Sequence, residues 1–261
     1  MGVFDSGIGG LTVFRALRRT LPASEHLLYL GDTARVPYGT RSDETVVRYA
    51  LEGARFLARR ELKALIVACN TMSALALPAL RRAMPFLVVG VIGPGAEAAC
   101  RSTRTGVVGV IGTGATIGSG AYTRAIRCHL PEARVVGRAC PLFVPLAEEG
   151  WVDNEIARGT ARVYLADLKR DGIDTLVLGC THYPLLKGVI GEVMGPGVTL
   201  VDSAEATAAV VRERLRERDL LAAGGRRGED RFFVTDSSER FREVGSRFLG
   251  RSLEGLELIT I

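Results

Sequence analysis

The sequence predicts an α/β protein of two similar, doubly wound lobes, with mostly parallel sheets and an active site between the lobes. Short apolar runs alternate with longer amphipathic stretches along most of the 261 residues. Near-continuous apolar strands separated by helical crossovers are typical of parallel sheets covered on both faces. Hydrophobic residues form 47% of the chain, which is enough for a sizeable core and excludes a disordered or collagen-like protein.

Six apolar runs have the length of buried strands, and four stretches between them have helical periodicity. The predicted strands are 27–30, 64–68, 87–91, 107–111, 175–178 and 199–201. The predicted helices are 42–60, 116–130, 155–169 and 204–217. This βαβ order places ligand chemistry at the carboxyl ends of the strands.

The two ends of the chain continue the same order. A first strand ends at Val3-Phe4-Asp5 and leads through a glycine-rich turn into a helix from Leu11. The tail has an apolar run at 231–234 and a last helix from about Ser238. We expect this tail to rejoin the first lobe.

The chain is expected to cross between the lobes twice. Gly93-Pro94-Gly95 breaks the pattern after the third of the six strand-length runs and marks the first crossing, and the return follows the sixth. We therefore expect a first lobe of residues 1–92 plus 206–261 and a second lobe of residues 93–205.

Charge and hydropathy argue against two kinds of partner. The 34 basic and 29 acidic side chains give a net charge of +5, and the arginines that dominate the basic set are scattered, whereas a nucleic-acid site needs a clustered patch. No apolar run approaches the roughly 18 residues of a membrane helix, and the N-terminus lacks signal-peptide anatomy. We expect no nucleic acid, no membrane and a cytoplasmic location.

Two of the five cysteines stand out from the rest. An odd number without a CxxC pair argues against a disulfide framework, and free cysteines are most often inert core residues. Residues 64–71 and 174–182, however, share one pattern of apolar strand, small residue, cysteine and hydrogen-bonding residues. This repeat predicts two similar half-sites, at Cys69 and Cys180, that face one another.

Both cysteines are predicted at strand-to-helix junctions. Unpaired backbone N–H groups and the positive end of a helix dipole favour a thiolate there, and can lower a thiol pKa from ~8.5 to about 7.5 or less. Either protonation state is then available near neutral pH. Asn70-Thr71 and Thr181-His182 supply donors for a substrate carboxylate at the same place.

Four other side chains are candidate acid–base groups, namely Asp5, Glu148, Glu149 and His182. Asp5 ends a strand and precedes the glycine-rich turn 6–10. N-capping of the next helix by Asp5 or Ser6 explains these residues equally well.

No cofactor or metal site is predicted. The glycine-rich loops 7–12 and 112–117 both fail GxGxxG at the sixth position, and no P-loop motif occurs. The second loop either presents Thr113 and Thr116 to a ligand carboxylate or is a plain turn. The cysteines and histidines lack zinc-site spacing, and the three lysines are poorly placed for a Schiff base with pyridoxal phosphate.

Five motifs, taken together, match one known family. They are Asp5-Ser6-Gly7-Ile8-Gly9-Gly10-Leu11-Thr12-Val13, Pro37-Tyr38-Gly39, Cys69-Asn70-Thr71, Cys140-Pro141-Leu142-Phe143 and Gly179-Cys180-Thr181-His182. With these motifs the chain resembles the glutamate racemases of the cofactor-independent aspartate/glutamate racemase superfamily. The match runs in order from Val3 to about Asp202.

The resemblance implies a role for each matching residue. Cys69 and Cys180 would be the two bases, with Asp5 supporting the first and Glu148 and His182 the second. Glu148 rather than Glu149 follows from the Pro-Leu-x-Glu register. The positions implied to hold substrate are Asp5, Ser6, Pro37, Tyr38, Gly39, Asn70, Thr71, Thr113, Thr116, Thr181 and His182.

The resemblance also implies the biology. The expected reaction interconverts L- and D-glutamate without a cofactor and supplies D-glutamate for peptidoglycan synthesis, cell wall biogenesis and cell shape, in a homodimer. One alternative is a racemase for aspartate or another acidic amino acid. Another is a nucleotide-dependent reductase or a ligand-binding module on the same fold, which leaves the paired cysteines unexplained.

Overall fold

Two parallel sheets organise the protein, which a computed structural model describes over residues 1–236 and 238–261. The strands are β1 Gly2–Asp5, β2 Leu27–Gly31, β3 Ala64–Val67, β4 Leu87–Gly90, β5 Val107–Gly112, β6 Arg134–Ala139, β7 Thr175–Gly179, β8 Thr199–Asp202, β9 Asp230–Val234 and β10 Leu256–Leu258. The first sheet has the order β10-β9-β2-β1-β3-β4 and the second β6-β5-β7-β8.

Helices connect the strands and cover both faces of each sheet, as parallel pairing requires. They are α1 Leu11–Thr20, α2 Asp43–Ala58, α3 Asn70–Leu75, α4 Leu77–Ala83, α5 Ile92–Ser102, α6 Gly114–Gly118, α7 Ala121–His129, α8 Phe143–Glu148, α9 Glu155–Arg170, α10 Lys187–Met194, α11 Ser203–Arg216 and α12 Ser238–Leu249. Within the described residues, no helix is long and apolar enough to span a bilayer.

The two sheets repeat one topology, which confirms the predicted fold class. The order β2-β1-β3-β4 in one sheet corresponds to β6-β5-β7-β8 in the other. In each set, the strand that comes first along the chain lies between the second and the third. β9 and β10 extend only the first sheet, where β9 pairs with β2. The equivalent strands β3 and β7 are central, and Cys69 and Cys180 follow them.

The strands are apolar on both sides because each sheet is buried between helices. In β1, Val3 belongs to one hydrophobic cluster and its neighbour Phe4 to the cluster on the opposite face, and both are fully buried. Successive side chains of a strand point to opposite faces, so a continuous apolar run is needed. This arrangement leaves the carboxyl ends of the strands as the place for polar groups.

The predicted helix 116–130 is wrong, because two helices occupy this segment. Gly120 has a φ of 64°, in the left-handed region that glycine adopts most readily, and it separates α6 from α7. Gly93-Pro94-Gly95 lies in the first turn of α5 rather than in a break. Proline is tolerated there because the first N–H groups of a helix have no intrahelical partner.

Two strands were not predicted from the sequence. β6 is an edge strand with partly exposed residues, including two arginines, so it lacks the apolar run of a buried strand. β10 is a three-residue edge strand. The lobe boundaries at 92/93 and 205/206 stay a prediction, although α11 packs against both α1 and α5 near the second of them.

Candidate active site

A cavity of about 230 Å³ lies between the ends of the two sheets, and both Cys69 and Cys180 line it. Most of the predicted site residues share this lining. They are Ser6, Pro37, Tyr38, Gly39, Cys69, Asn70, Thr71, Thr113, Glu148, Cys180, Thr181 and His182. Asp5 and Thr116 are buried outside the lining and contact it from behind.

Cys69 lies between β3 and α3 and is the N-cap of that helix. Its Sγ accepts a hydrogen bond from the Met72 N–H at 3.4 Å and one from the Ser6 hydroxyl at 3.4 Å. Burial, followed by the nearby Asp5 carboxylate, raises the pKa of Cys69 to about 12. The expected lowering of this pKa is therefore wrong, because desolvation of the thiolate outweighs the donors at the helix start.

Asp5 is buried behind the Cys69 side of the cavity. Its Oδ2 accepts a hydrogen bond from the Gly7 N–H at 2.9 Å, while Oδ1 has no hydrogen-bond partner among the described residues. Burial raises the pKa of Asp5. The alternative that Asp5 or Ser6 caps α1 is wrong, since Gly10 is the N-cap and no side chain bonds there.

Cys180 follows β7 but precedes a 3-10 helix, Tyr183–Leu186, rather than the predicted α-helix start. Its Sγ lies 3.8 Å from Nδ1 of His182, and the other ring nitrogen, Nε2, lies 3.1 Å from Oε1 of Glu148. Burial alone would lower the pKa of His182, but the hydrogen bonds with Cys180 and Glu148 outweigh it and raise this pKa to about 10. A cation therefore faces Cys180 at neutral pH.

The structure distinguishes the two adjacent glutamates. Glu148 bonds to His182, and this bond lowers the pKa of Glu148 despite its partial burial. Glu149 instead pairs with Arg240 of α12 at 3.1 Å and has a side chain that is 58% exposed. The Glu148–His182–Cys180 chain agrees with the register that favoured Glu148.

Gly9, in the loop after β1, must be a glycine because the two lobes touch there. A Cβ on Gly9 would lie 2.1 Å from Thr181 Oγ1 and 2.5 Å from His182 Nδ1, which no side chain could tolerate. Next to it, the Thr12 hydroxyl donates to the Thr181 carbonyl at 3.0 Å. The loop thus positions the Cys180 side from the opposite lobe.

Hydroxyl and amide groups form the wall between the cysteines. Thr71 Oγ1 lies 3.0 Å from Thr113 Oγ1 and 3.3 Å from Thr116 Oγ1, so α3 of one lobe meets α6 of the other. Asn70 Oδ1 accepts a hydrogen bond from the Tyr122 hydroxyl at 2.7 Å. Its buried Nδ2 has no partner within the described structure and is an available donor.

The segment 37–39 closes one side of the cavity. Tyr38 is 1% exposed and its hydroxyl donates to the carboxylate of Asp32. Burial, followed by this carboxylate, raises the pKa of Tyr38. Tyr38 therefore lines the cavity without a free hydroxyl. Gly39 packs against the Thr113 side chain, where an added Cβ would lie 3.2 Å away.

Several lining residues were not predicted, and they are Gly7, Ile8, Thr33, Val36, Val144, Asp236, Arg240 and Phe241. Thr33 and Asp236 each come two residues after a strand, β2 or β9, so the strand-end rule applied to every strand would have found them. Arg240 and Phe241 lie on α12, far from the matching motifs, and no sequence signal singles them out. In the described ranges, no three His, Cys, Asp or Glu side chains group as a metal site requires.

Comparison with known proteins places this geometry in a family. A family model described as Asp/Glu/Hydantoin racemase matches residues 2–211. The glutamate racemase of Geobacter metallireducens is 59% identical over 253 residues, which are 97% of this chain and 93% of that protein.

Solved structures of glutamate racemases have the same fold as this chain over nearly its whole length. The glutamate racemase of Bacillus anthracis is 40% identical with a TM-score of 0.96, covering 100% of this chain and 97% of that one. The Francisella tularensis enzyme, solved in complex with D-glutamate, is 40% identical with a TM-score of 0.93, covering 99% and 96%. The chain therefore belongs to the Asp/Glu/Hydantoin racemase family of isomerases, and within it to the glutamate racemases.

Proposed function

We propose that this protein interconverts L- and D-glutamate by proton transfer between the substrate and two thiols, Cys69 and Cys180. The observation that carries the proposal is that equivalent strands of the two repeated four-strand units are each followed by a cysteine that lines one cavity. In a two-base racemase, an acid and a base lie on opposite faces of the carbon that is inverted.

The reaction balances without an oxidant, a reductant or a cofactor. One thiolate takes the α-proton, so the C–H bond breaks, an S–H bond forms and the electron pair is delocalised into the α-carboxylate. The other thiol donates its proton to the opposite face and becomes a thiolate. The product has the opposite hand, and the reverse reaction exchanges the roles of the two sulfurs.

The two thiols have different neighbours. Cys69, with a pKa of about 12, is protonated at neutral pH and ready to act as an acid. Cys180 lies beside His182, whose ring is held in turn by a hydrogen bond to Glu148. We therefore assign Asp5 and Ser6 to the support of Cys69, and His182 and Glu148 to the support of Cys180.

The carbanion-like transition state needs fixed donors in a pocket that holds little water. The unpartnered Asn70 Nδ2 and the hydroxyls of Thr71, Thr113 and Thr181 border the cavity and are suited to the substrate's carboxylates. Thr116 supports this wall from behind through Thr71 and Thr113. Pro37, Tyr38 and Gly39 would enclose the substrate by their shape.

The choice of glutamate over aspartate or another acidic amino acid is supported by the full-length likeness to glutamate racemases. On the same basis we propose that the product D-glutamate serves peptidoglycan synthesis, and that the enzyme works in the cytoplasm as a homodimer. A reductase or a binding module would leave the two supported thiols without a role.

Optical activity tests the proposal directly. Purified protein, without pyridoxal phosphate, should reduce the circular dichroism of L-glutamate to zero, and that of D-glutamate likewise. L-Aspartate in a parallel sample should change far more slowly. Absence of racemisation with every acidic amino acid would reject the proposed function, and a faster reaction with aspartate would reassign the substrate.

A further inference from the structure

We infer that Tyr122 is a positioning residue that orients the Asn70 amide toward a substrate carboxylate and holds the two cysteine-bearing strand ends together. The inference rests on the proposed function and adds to it a residue that lies outside the cavity lining and outside both cysteine half-sites.

Tyr122 contacts the neighbour of each cysteine in sequence. Its hydroxyl donates to Oδ1 of Asn70, the residue after Cys69, at 2.7 Å. Its ring packs against Gly179, the residue before Cys180, where an added Cβ would lie 3.0 Å from Cε2. Tyr122 is 3% exposed, so one buried ring bridges the ends of β3 and β7 across the lobes.

The hydrogen bond decides which end of the Asn70 amide is available. Because Oδ1 accepts from Tyr122, the donor Nδ2 is the end left free, and it has no partner among the described residues although Asn70 is 3% exposed. An unsatisfied buried donor is costly, and a carboxylate acceptor relieves that cost. The amide is therefore held ready for an anionic oxygen in a cavity that Asn70 lines.

Local structure explains how Tyr122 reaches this place. The left-handed Gly120 is the N-cap of α7 and starts this helix in a new direction, so Tyr122 lies in the first turn of α7 and points into the interface. A continuous helix over 116–130 would carry the ring elsewhere. Gly95 makes room for the hydroxyl, since a Cβ there would lie 3.2 Å from it.

The substitution Tyr122→Phe isolates the hydroxyl because it keeps the ring on Gly179. We expect KM for both enantiomers to rise about tenfold, as the loss of one oriented hydrogen bond to a charged group implies, with a smaller effect on kcat. The double variant with Asn70→Ala should be no worse than Asn70→Ala alone, because Tyr122 acts through Asn70. Additive losses would overturn the inference.

Tyr183→Phe is the matched control. Tyr183 is also buried, and like Tyr122 it belongs to the lobe built on β5 to β8. It lies outside the cavity lining, and its hydroxyl donates a hydrogen bond to the Cys140 carbonyl at 2.9 Å. Both variants should lose similar thermal stability, but Tyr183→Phe should keep KM within about twofold. A Tyr122→Phe variant that loses only thermal stability would show a purely structural role and overturn the inference.

A spectroscopic readout independent of turnover is available because the chain has two asparagines, Asn70 and Asn154, and no glutamine. The side-chain amide region of a 15N spectrum therefore holds two NH2 pairs. Glutamate should shift the Asn70 pair and leave the Asn154 pair in place, and Tyr122→Phe should need about tenfold more glutamate for half of that shift. Identical titrations of wild type and variant would overturn the inference.

The outcomes separate this inference from the proposed function. If the wild type does not racemise glutamate, the proposed function fails. If the wild type is active and Tyr122→Phe is unaffected, only the role of Tyr122 fails. Should Tyr122→Phe not fold, the wild-type titration decides, since an Asn70 pair that ignores glutamate would contradict the role and a shifted pair would support it.

Discussion

The Cys69 and Cys180 half-sites have the same topology and different chemistry. Each cysteine follows the third strand of a repeated four-strand unit and lines the same cavity. Cys69 has neutral donors, the Ser6 hydroxyl and the Met72 N–H, and lies near the buried carboxyl of Asp5. Cys180 has the His182 imidazolium, supported in turn by Glu148.

This difference shows that burial and the neighbouring Asp5 carboxyl, rather than the position at a strand end, set the proton affinity of Cys69. Helix N-termini were expected to lower the pKa of both thiols. At Cys69, burial outweighs the donors at the helix start and raises the pKa of the thiol. At Cys180, a 3-10 helix replaces the α-helix, and the positive charge beside the thiol comes from a histidine. A repeated fold thus surrounds its two cysteines with different side chains.

The largest expected effect comes from removing either sulfur. Cys69→Ser and Cys180→Ser should each lower racemisation by at least about a thousandfold, because a serine hydroxyl is a far weaker acid and base than a thiol near neutral pH. The remaining thiol can still exchange the α-proton on its own face. Deuterium uptake from D2O by each enantiomer separately should then show one-sided exchange, on opposite enantiomers in the two variants.

A variant that keeps near-normal turnover would remove that cysteine from the mechanism. Cys128→Ser is the control for the chemical change, since this exposed thiol lies outside the cavity lining. It should leave turnover within about twofold of wild type.

A smaller effect is expected from Glu148→Gln, which removes the carboxylate behind His182. The pKa of His182 should fall, because the Glu148 hydrogen bond helps to raise it to about 10. Turnover at neutral pH should drop by about a hundredfold, and the alkaline limb of the pH–rate profile should move to lower pH. Glu149→Gln is the matched control, since it removes an exposed pair with Arg240. Its turnover should stay within about twofold of wild type, and the alkaline limb of its pH–rate profile should stay in place.

The same pair predicts how stability depends on pH. The folded pKa of His182 lies above its ordinary value of 6.5, so the stabilisation by its charge is complete below about 6.5 and is lost as the pH rises through about 10. The difference in thermal midpoint between wild type and Glu148→Gln should therefore shrink between pH 7 and pH 10.5. A difference that stays constant over this window would contradict the charged His182.

The smallest effect is expected from Ser6→Ala, which removes a neutral donor from Cys69. The hydrogen bond at 3.4 Å helps to lower the pKa of Cys69 against burial, so the thiolate becomes harder to form. Turnover should fall by roughly three- to tenfold in the direction that uses Cys69 as the base. Since the equilibrium constant of racemisation is one, kcat/KM must remain equal in both directions, and a rise of both KM values with kcat unchanged would assign Ser6 to substrate binding alone.

Much of the site could be predicted because its residues follow strands. Cys69 and Cys180 come within two residues of the end of an apolar run, Asn70 and Thr181 follow them, and parallel strands bring such residues to one edge. The choice between the adjacent Glu148 and Glu149 was harder to make from the sequence. The contacts of Glu148 with His182 and of Glu149 with Arg240 distinguish the two residues.

The remaining features depend on contacts between distant segments. Tyr122 reaches Asn70 because of a left-handed glycine, which a helical pattern does not reveal. The high pKa of Cys69 depends on the burial of its thiol, and Gly9 is explained by contact with Thr181, 172 positions away in the chain. Local sequence patterns identify which side chains belong to the site. The packing of distant segments decides the pKa and the orientation of those side chains.

The most direct test of the two-thiol account is the isotopic label of the first product formed by wild-type enzyme equilibrated in D2O. The proton given to the product comes from the second thiol, which exchanges with solvent, while the proton taken from the substrate stays on the first. The account predicts that newly formed D-glutamate carries deuterium at the α-carbon while unreacted L-glutamate does not. Early product that retains the original α-hydrogen would mean that a single base moves it between the faces, and would contradict the account.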